Sequence, residues 1–229
     1  MTQRDREKRL DVVGKLLAQA TSVAGTPEAD VFTSRAFALI AKLGIGPESD
    51  ATAGGNAADA IVHHGFELEG DFLLQRMILL ARIAEALHCN HAYWLFTDRA
   101  SRVAVCGTQR HIDRIQVLYD PLVMRMLRQA TTSPWSPSTG LSLRDHQISW
   151  MQGFTVSIRV RLRDAEATAA AEAAHCTYQQ HAVDAERAAA EMTRVLPATR
   201  RSTYRPTLGF NSVVEGIRAG KSTNESSEP

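Results

Sequence analysis

The chain has 229 residues, of which 44% are hydrophobic and 22% charged, and its net charge is +1. These values are ordinary for a globular protein that can form one domain and a small additional module. No segment approaches the roughly 18–20 apolar residues of a membrane span. The N-terminal sequence MTQRDREKRL lacks the apolar run of a signal peptide, and three widely spaced cysteines argue against a disulfide framework. We therefore expect a cytoplasmic protein that does not contact a membrane.

Residues 1–46 are predicted to form a helical hairpin. Apolar residues recur at steps of three and four, which indicates an amphipathic helix that ends at Gly25, where glycine tolerates a left-handed backbone. Thr26 and Pro27 then begin a second helix, which ends at Gly44 or just after it. The residues expected to face the core are Leu10, Val13, Leu16, Leu17, Ala20, Val31, Phe32, Ala36, Leu39, Ile40 and Leu43.

The hairpin sequence also carries a family resemblance. The run KLLAQATSVAGTPEADVFTSRAFALIAKLGI, with its GTPE connector and closing KLGI, resembles the N-terminal module of a bacterial and phage family described as domain of unknown function 2786. The match covers about residues 10–46. A weaker similarity to the uncharacterised companion domain of that family continues in VCGTQRHIDRIQVLYDPL and WMQGFTVSIRVRL. The resemblance implies a fold with two parts and assigns no reaction.

The remaining chain divides by composition. Residues 47–70 are rich in small and polar side chains and are predicted to be a linker. An α+β domain is predicted over 71–199, and it begins with a helix over 71–88 that carries a broad apolar stripe. Residues 200–229 are polar and are expected to form a largely disordered tail.

A β-hairpin is predicted after this helix, because residues 91–97 and 102–107 alternate in type on either side of a four-residue loop. If Thr97 pairs with Arg102, the large apolar side chains of both strands share one face, which must be the core face. These side chains are Trp94, Phe96, Val103 and Val105, and the opposite face then carries His91, Tyr93 and Cys106.

Two long helical segments complete the domain. The first begins near residue 109 and is expected to kink or split at Pro121. The second runs over 143–195 without a proline. Its residues 156–162 alternate like a strand, but we predict a helix because they continue without a turn signal into the alanine-rich residues 165–192. That stretch lacks bulky apolar side chains, so we expect it to project over the domain or to meet a protein partner or a second copy of the chain.

The predicted fold is therefore α+β and mainly helical. A helical hairpin is followed by an α-β-β-α-α domain that ends in a long C-terminal helix.

Charge is segregated along the predicted domain. Residues 48–98 hold eight acidic residues against two arginines, a net charge of −6, whereas residues 99–163 hold ten arginines against three aspartates, a net charge of +7. These charges either neutralise one another within the domain or leave an arginine face for nucleic-acid phosphates, on which a loop tryptophan can stack a base. The candidate nucleic-acid-binding residues are Arg110, Arg114, Arg125, Arg128, Trp135, Arg144, Arg159 and Arg163.

The candidate metal ligands are Cys89, His91, Cys106 and His111, which the predicted hairpin brings to its open end. Thiolate and imidazole groups bind zinc, although the spacings here differ from the close cysteine pairs of structural zinc sites.

Nucleophilic and paired-carboxylate signatures are absent from the sequence, so no catalytic residue is predicted and an enzyme is not favoured. The leading hypothesis is an accessory protein that binds nucleic acid or a nucleic-acid-bound partner, which the phage and bacterial setting of the resembled family slightly favours. No cofactor is expected under that hypothesis. The alternative is a zinc-binding protein or metalloenzyme.

Overall fold

A computed structural model of the chain describes residues 3–45, 60–97, 99–173, 176–196 and 208–220. The α-helices in these ranges are α1 (Gln3–Ser22), α2 (Pro27–Gly44), α3 (Leu73–Ala86), α4 (Gln109–Thr132), α5 (Leu143–Glu172), α6 (Cys176–Val195) and α7 (Phe210–Gly220). The strands are β1 (Ile61–Glu69), β2 (Asn90–Leu95) and β3 (Ala100–Thr108). The predicted class, mainly helical α+β, is confirmed. None of the described helices combines the length and the apolar character needed to cross a bilayer.

The N-terminal hairpin is present as α1 and α2. Its connector contains Gly25, whose φ of 91° requires the left-handed conformation that glycine supplies. Leu17 and Ile40 are buried as predicted, whereas Val31 is 56% exposed and Phe37 fills the core instead. α1 packs on α4 and α2 packs on α5, so the hairpin forms one side of a continuous core.

The three strands form one antiparallel sheet in the order β1-β3-β2. The prediction of a linker over 47–70 is wrong for residues 61–69, which pair along their whole length with residues 100–108. The strand alternates, with Phe66 and Leu68 turned to the core and charged residues between them, but the sequence His-His-Gly at its start resembles a loop. Residues 47–59 lie outside the described part of the chain.

The predicted register of the β2–β3 hairpin is wrong by three residues. Tyr93 pairs with Val103, and Trp94 pairs with Arg102. Because side chains alternate along a strand, an odd shift exchanges its two faces. Trp94 is therefore 38% exposed and Phe96 is 59% exposed, where both were predicted to be buried.

The turn and the second face of the sheet explain this register. The backbone N–H groups of residues 96 and 97 both donate to the carbonyl of Ala100, at 3.0 and 3.1 Å, so β2 ends before them. α3 and α4 cover one face of the sheet and α6 covers the other, where Ala92 and Cys106 pack against Met192. The prediction assumed that one face of the sheet is buried and the other exposed, so that apolar and polar residues alternate along each strand. A sheet with both faces covered does not follow that pattern.

Two predictions about the long helices also change. α4 continues through Pro121 as one helix. The predicted 143–195 helix is divided, since α5 ends at Glu172 and α6 begins at Cys176. Residues 156–162 are helical as predicted, and α6 lies over the sheet with Ala188 fully buried.

Part of the predicted disordered tail is a helix. α7 packs along α5, and the two approach most closely at Gly153 and Gly216. A Cβ atom on these glycines would lie 2.0 and 1.9 Å from a backbone oxygen of the facing helix. Arg125 and Arg161 donate to the last two carbonyls of α7, at 3.0 and 2.6 Å, and so satisfy groups that a helix end leaves free.

Candidate metal centre

Three of the residues predicted to bind nucleic acid lie inside the protein. Arg110, Arg114 and Arg125 are 3%, 0% and 3% exposed, because the buried face of α4 carries them into the core. Each contacts a polar side chain of another helix, and the pairs are Arg110 with Asp184, Arg114 with Glu166, and Arg125 with Thr33. These three arginines therefore do not contribute to an exposed face.

The other five residues of that prediction are more accessible. Trp135 is 37% exposed, and its indole N–H donates to the carbonyl of Leu141 at 3.1 Å. Arg159 is half-buried and lies 3.8 Å from Glu85, one of the acids of the 48–98 stretch. The exposed members are Arg128, Arg144 and Arg163. Nucleic-acid binding stays a prediction for this reduced set.

The four predicted metal ligands do not come together. Cys89 packs in the main core beside Gly107, whereas Cys106 lies on the opposite face of the sheet, against α6. His91 faces the α3 side of the sheet, and His111 is buried on α4. Burial raises the pKa of the Cys89 thiol to about 12 and that of Cys106 to about 11, so both are protonated thiols near pH 7.

A different set of polar side chains converges between α3, α4, α5 and α6, and we call it the polar cluster. α4 contributes three members within about one turn of one another, α6 contributes two at a spacing of three residues, α5 contributes one, and the turn after α3 contributes the last. The members are Arg110, His111, Arg114, His88, Glu166, His181 and Asp184. All except His88 are at most 5% exposed.

His88 reaches the cluster from an unusual backbone position. Its φ is 62°, the left-handed conformation that commonly follows a helix and that favours glycine. A non-glycine residue in this conformation is strained by about 1 kcal/mol or more, and such residues are concentrated at functional sites. The turn after α3 thus holds an imidazole where glycine would fit the backbone better.

Two buried ion pairs join the helices around the cluster. The Arg110 guanidinium pairs with Asp184, and the Arg114 guanidinium pairs with Oε1 of Glu166. Between them, His111 Nδ1 lies 2.9 Å from Arg114 Nη1 and its Nε2 lies 3.3 Å from an Asp184 oxygen. Because arginine only donates, Nδ1 must accept and the ring proton is on Nε2, facing Asp184.

Burial sets the protonation of these groups. Loss of solvent lowers the pKa of His111 well below its ordinary value and lowers that of His181 to about 4, so both rings are neutral near pH 7. Burial alone would raise the pKa of Asp184, but the His111 Nε2–H that faces it and the charge of Arg110 outweigh burial and lower that pKa to about 2. The cluster therefore holds two balanced ion pairs, and its His111 and His181 rings are neutral.

Three side chains of the cluster, those of His88, Glu166 and His181, each have a buried polar atom without a hydrogen bond. His88 Nε2 and Glu166 Oε2 lie 3.3 Å apart, yet neither makes a hydrogen bond within the described protein, and neither does His181 Nε2. The rings of His88 and His181 are stacked, with centroids 4.2 Å apart. In the part of the chain that the structure describes, these three residues are the set whose donor atoms all lie within 4.8 Å of one another.

A pocket of about 300 Å³ opens directly onto these three residues. It lies between the end of α3, α5 and α6, and five of its lining residues are alanines. Arg163 and Glu85 are its charged lining residues besides Glu166. The small alanine side chains are what leave this space open between helices that would otherwise pack closely.

Sequence reasoning missed His88, Glu166 and His181. Their separation along the chain hides the cluster, because only the packing of α6 against the end of α3 brings His181 to His88. One local signal was present: His181 and Asp184 are polar residues at a helical spacing inside an alanine-rich helix, which indicates a buried polar face.

Comparison with family models, with curated proteins and with solved structures gives no match for this chain. The proposals below depend on its own geometry.

Proposed function

We propose that this protein binds a divalent transition metal through His88, Glu166 and His181. One observation carries the proposal, the pair of buried donor atoms His88 Nε2 and Glu166 Oε2, which lie 3.3 Å apart with no hydrogen bond to either. Buried polar atoms in native proteins almost always have a partner, and a metal ion is one explanation when a set of them lacks one. His181 Nε2 supplies the third such atom.

The separation of these atoms suits a shared metal ion. Zinc binds histidine nitrogen and carboxylate oxygen at about 2.0–2.2 Å, and two ligands at a tetrahedral angle are then about 3.3–3.5 Å apart. The 3.3 Å between His88 Nε2 and Glu166 Oε2 matches one edge of such a tetrahedron. The neutral state of His181 near pH 7 also suits a ligand, because metal and proton compete for the same lone pair.

The surrounding residues support a ligand role for Glu166. Arg114 binds Oε1 of this carboxylate, so the other oxygen is turned to the histidines. Groups outside the first coordination shell often orient metal ligands in this way. The carboxylate is thus held at the site in the absence of metal.

The donor set narrows the choice of metal. Two histidines and one carboxylate bind Zn²⁺ in hydrolytic enzymes and Fe²⁺ in a class of oxygenases, and both leave coordination positions open. A structural zinc site has four protein ligands, so three ligands facing a pocket are typical of a centre that small molecules can reach. We propose Zn²⁺ or Fe²⁺ at this site in a cytoplasmic protein.

Metal analysis of the full chain, purified without a histidine tag, tests the proposal. We expect near-stoichiometric Zn²⁺ or Fe²⁺ uptake by the wild type after chelation and reloading. His88→Gln and His181→Gln should lose this metal, whereas His64→Gln should keep it, because His64 is a half-buried histidine on β1 that contacts Gln116 instead of the cluster. Absence of uptake by the wild type, or equal uptake by His181→Gln, would overturn the proposal.

A further inference from the structure

The proposed metal has an open side, and the pocket of about 300 Å³ lies on it. We infer that this pocket binds a small dicarboxylate, with one carboxylate on the metal and the other on Arg163. The inference rests on the proposed metal site and adds the chemical class of its ligand.

The charge of the site favours an anion. Arg110 is balanced by Asp184 and Arg114 by Glu166, and histidine ligands are neutral when a metal is bound. The charges of these two ion pairs therefore cancel, and a divalent ion would add two positive charges next to buried side chains. A ligand with negative charge offsets them, since a buried charge without a counter-charge is costly.

The rim of the pocket carries a positively charged side chain, that of Arg163, which can bind an anion. Arg163 precedes Glu166 by three residues on α5, so both lie on the same face of that helix. Arg163 is exposed and makes no ion pair with any residue that the structure describes. The rim acid Glu85 is already bound by both of its oxygens to Arg82, at 2.7 and 3.0 Å.

The walls between the two ends are apolar. Five alanines line the pocket and offer methyl groups without hydrogen-bonding side chains. A ligand that fits has a short hydrocarbon segment against these walls and an oxyanion at each end. Arginine binds a carboxylate with two parallel hydrogen bonds, which fixes the orientation of the end that faces solvent. A four-carbon diacid such as succinate has this character, whereas inorganic phosphate lacks the apolar segment.

Cobalt-loaded protein tests the inference, because Co²⁺ replaces Zn²⁺ or Fe²⁺ in such sites and its visible absorption reports changes among its ligands. We would titrate the Co²⁺ form of the full chain with succinate, succinamide and inorganic phosphate. Succinate should change the absorption spectrum of the Co²⁺ form, and this change should saturate as the succinate concentration rises. Inorganic phosphate and the uncharged succinamide should each bind at least tenfold more weakly than succinate. Arg163→Ala should weaken succinate binding at least tenfold and keep Co²⁺ binding, while Arg35→Ala, which changes an exposed arginine of α2, should behave as the wild type.

The outcomes separate this inference from the metal proposal. If the wild type does not bind Co²⁺, the metal site itself is wrong. If Co²⁺ binds but succinate leaves the spectrum unchanged, or Arg163→Ala binds succinate as tightly as the wild type, the metal proposal stands and the dicarboxylate inference is overturned. Phosphate binding equal to that of succinate would also overturn it.

Discussion

At the scale of single residues, Gly44 shows how burial of one arginine constrains another helix. Gly44 ends α2 with φ outside the left-handed region, so the backbone does not require glycine there. A Cβ atom at this position would instead lie 2.0 Å from Arg114 Nη1. Glycine is thus needed for the space that the guanidinium occupies on its way to Glu166.

We predict that Gly44→Ala lowers the free energy of unfolding by about 1–3 kcal/mol, the usual range for overpacking a core. Gly14→Ala is the matched control, because Gly14 lies inside α1 and a Cβ there would meet nothing within 4 Å. That control should raise stability by about 0.5–1 kcal/mol through helix propensity. Urea unfolding of both variants measures these changes in the free energy of unfolding. A Gly44→Ala variant that is more stable than the wild type would contradict the placement of Arg114.

Asp184 predicts a pH dependence. Its folded pKa is lowered to about 2, below the value of about 3.9 for an unfolded aspartate, so its contribution to stability is complete above about pH 4 and is lost as the pH falls toward 2. Asp184→Asn should cost about 3–5 kcal/mol at neutral pH, because it removes the buried carboxylate with which Arg110 pairs. In metal-free protein, the stability gap between wild type and variant should narrow by about 2 kcal/mol as the pH falls from 4 to 2, the amount that a pKa shift of this size supplies over that range. A gap of constant size would show that Asp184 is not the titrating group.

At the scale of secondary-structure elements, α7 packs against α5 with the backbones of the two helices in direct contact. Gly216→Ala places a Cβ atom 1.9 Å from the carbonyl oxygen of Trp150, and neither helix backbone can move aside without separating the pair. We predict that hydrogen-exchange protection of residues 210–220 falls in this variant. Asn211→Ala, an exposed site on the same helix, should leave protection unchanged. Equal protection in Gly216→Ala and the wild type would refute this packing.

The same scale shows what the sequence can predict. Helices with apolar residues at steps of three and four, such as those around Leu17 and Ile40, follow directly from the pattern because their packing face is set locally. The β2–β3 register does not, because it depends on α6, which begins at Cys176, far along the chain from the end of β3 at Thr108. α6 covers the face of the sheet from which Trp94 was predicted to point away. The sequence does not predict the grouping of His88, Glu166 and His181 for the same reason, since their proximity depends on packing between separate elements.

At the scale of the whole molecule, the proposed metal would link three separate segments. Its ligands come from the turn after α3, from α5 and from α6, so binding requires all three to be in place. A ligand that binds only the folded state stabilises it by about 2.7 kcal/mol at one hundred times its dissociation constant.

We predict that the unfolding midpoint of the wild type rises steadily with free Zn²⁺ concentration and falls again on chelation. The midpoint of His181→Gln should not respond to the metal, and calorimetric scans at several metal concentrations would show both behaviours. A response of the same size in the variant would place the ion elsewhere.

The nucleic-acid prediction now depends on few surface arginines. If it is correct, binding should weaken steeply with salt, because each phosphate contact releases counterions. Arg128→Ala with Arg144→Ala should flatten that salt dependence without loss of stability, whereas Arg125→Ala should lower stability because its side chain is internal. Filter binding across a salt series measures the first effect, and salt-independent or absent binding would end this hypothesis.

Because α6 lies over the sheet, the reactivity of the Cys106 thiol beneath it reports whether α6 is in place. Cys106 is fully buried between β3 and α6, and its pKa is raised to about 11, so a thiol reagent cannot modify it while α6 is in place. Lifting α6 exposes that thiol and also withdraws His181 from His88 and Glu166. The rate at which a thiol reagent labels Cys106 in the native protein therefore reports how often α6 detaches and the site opens. Bound metal should lower this labelling rate in proportion to its occupancy of the site.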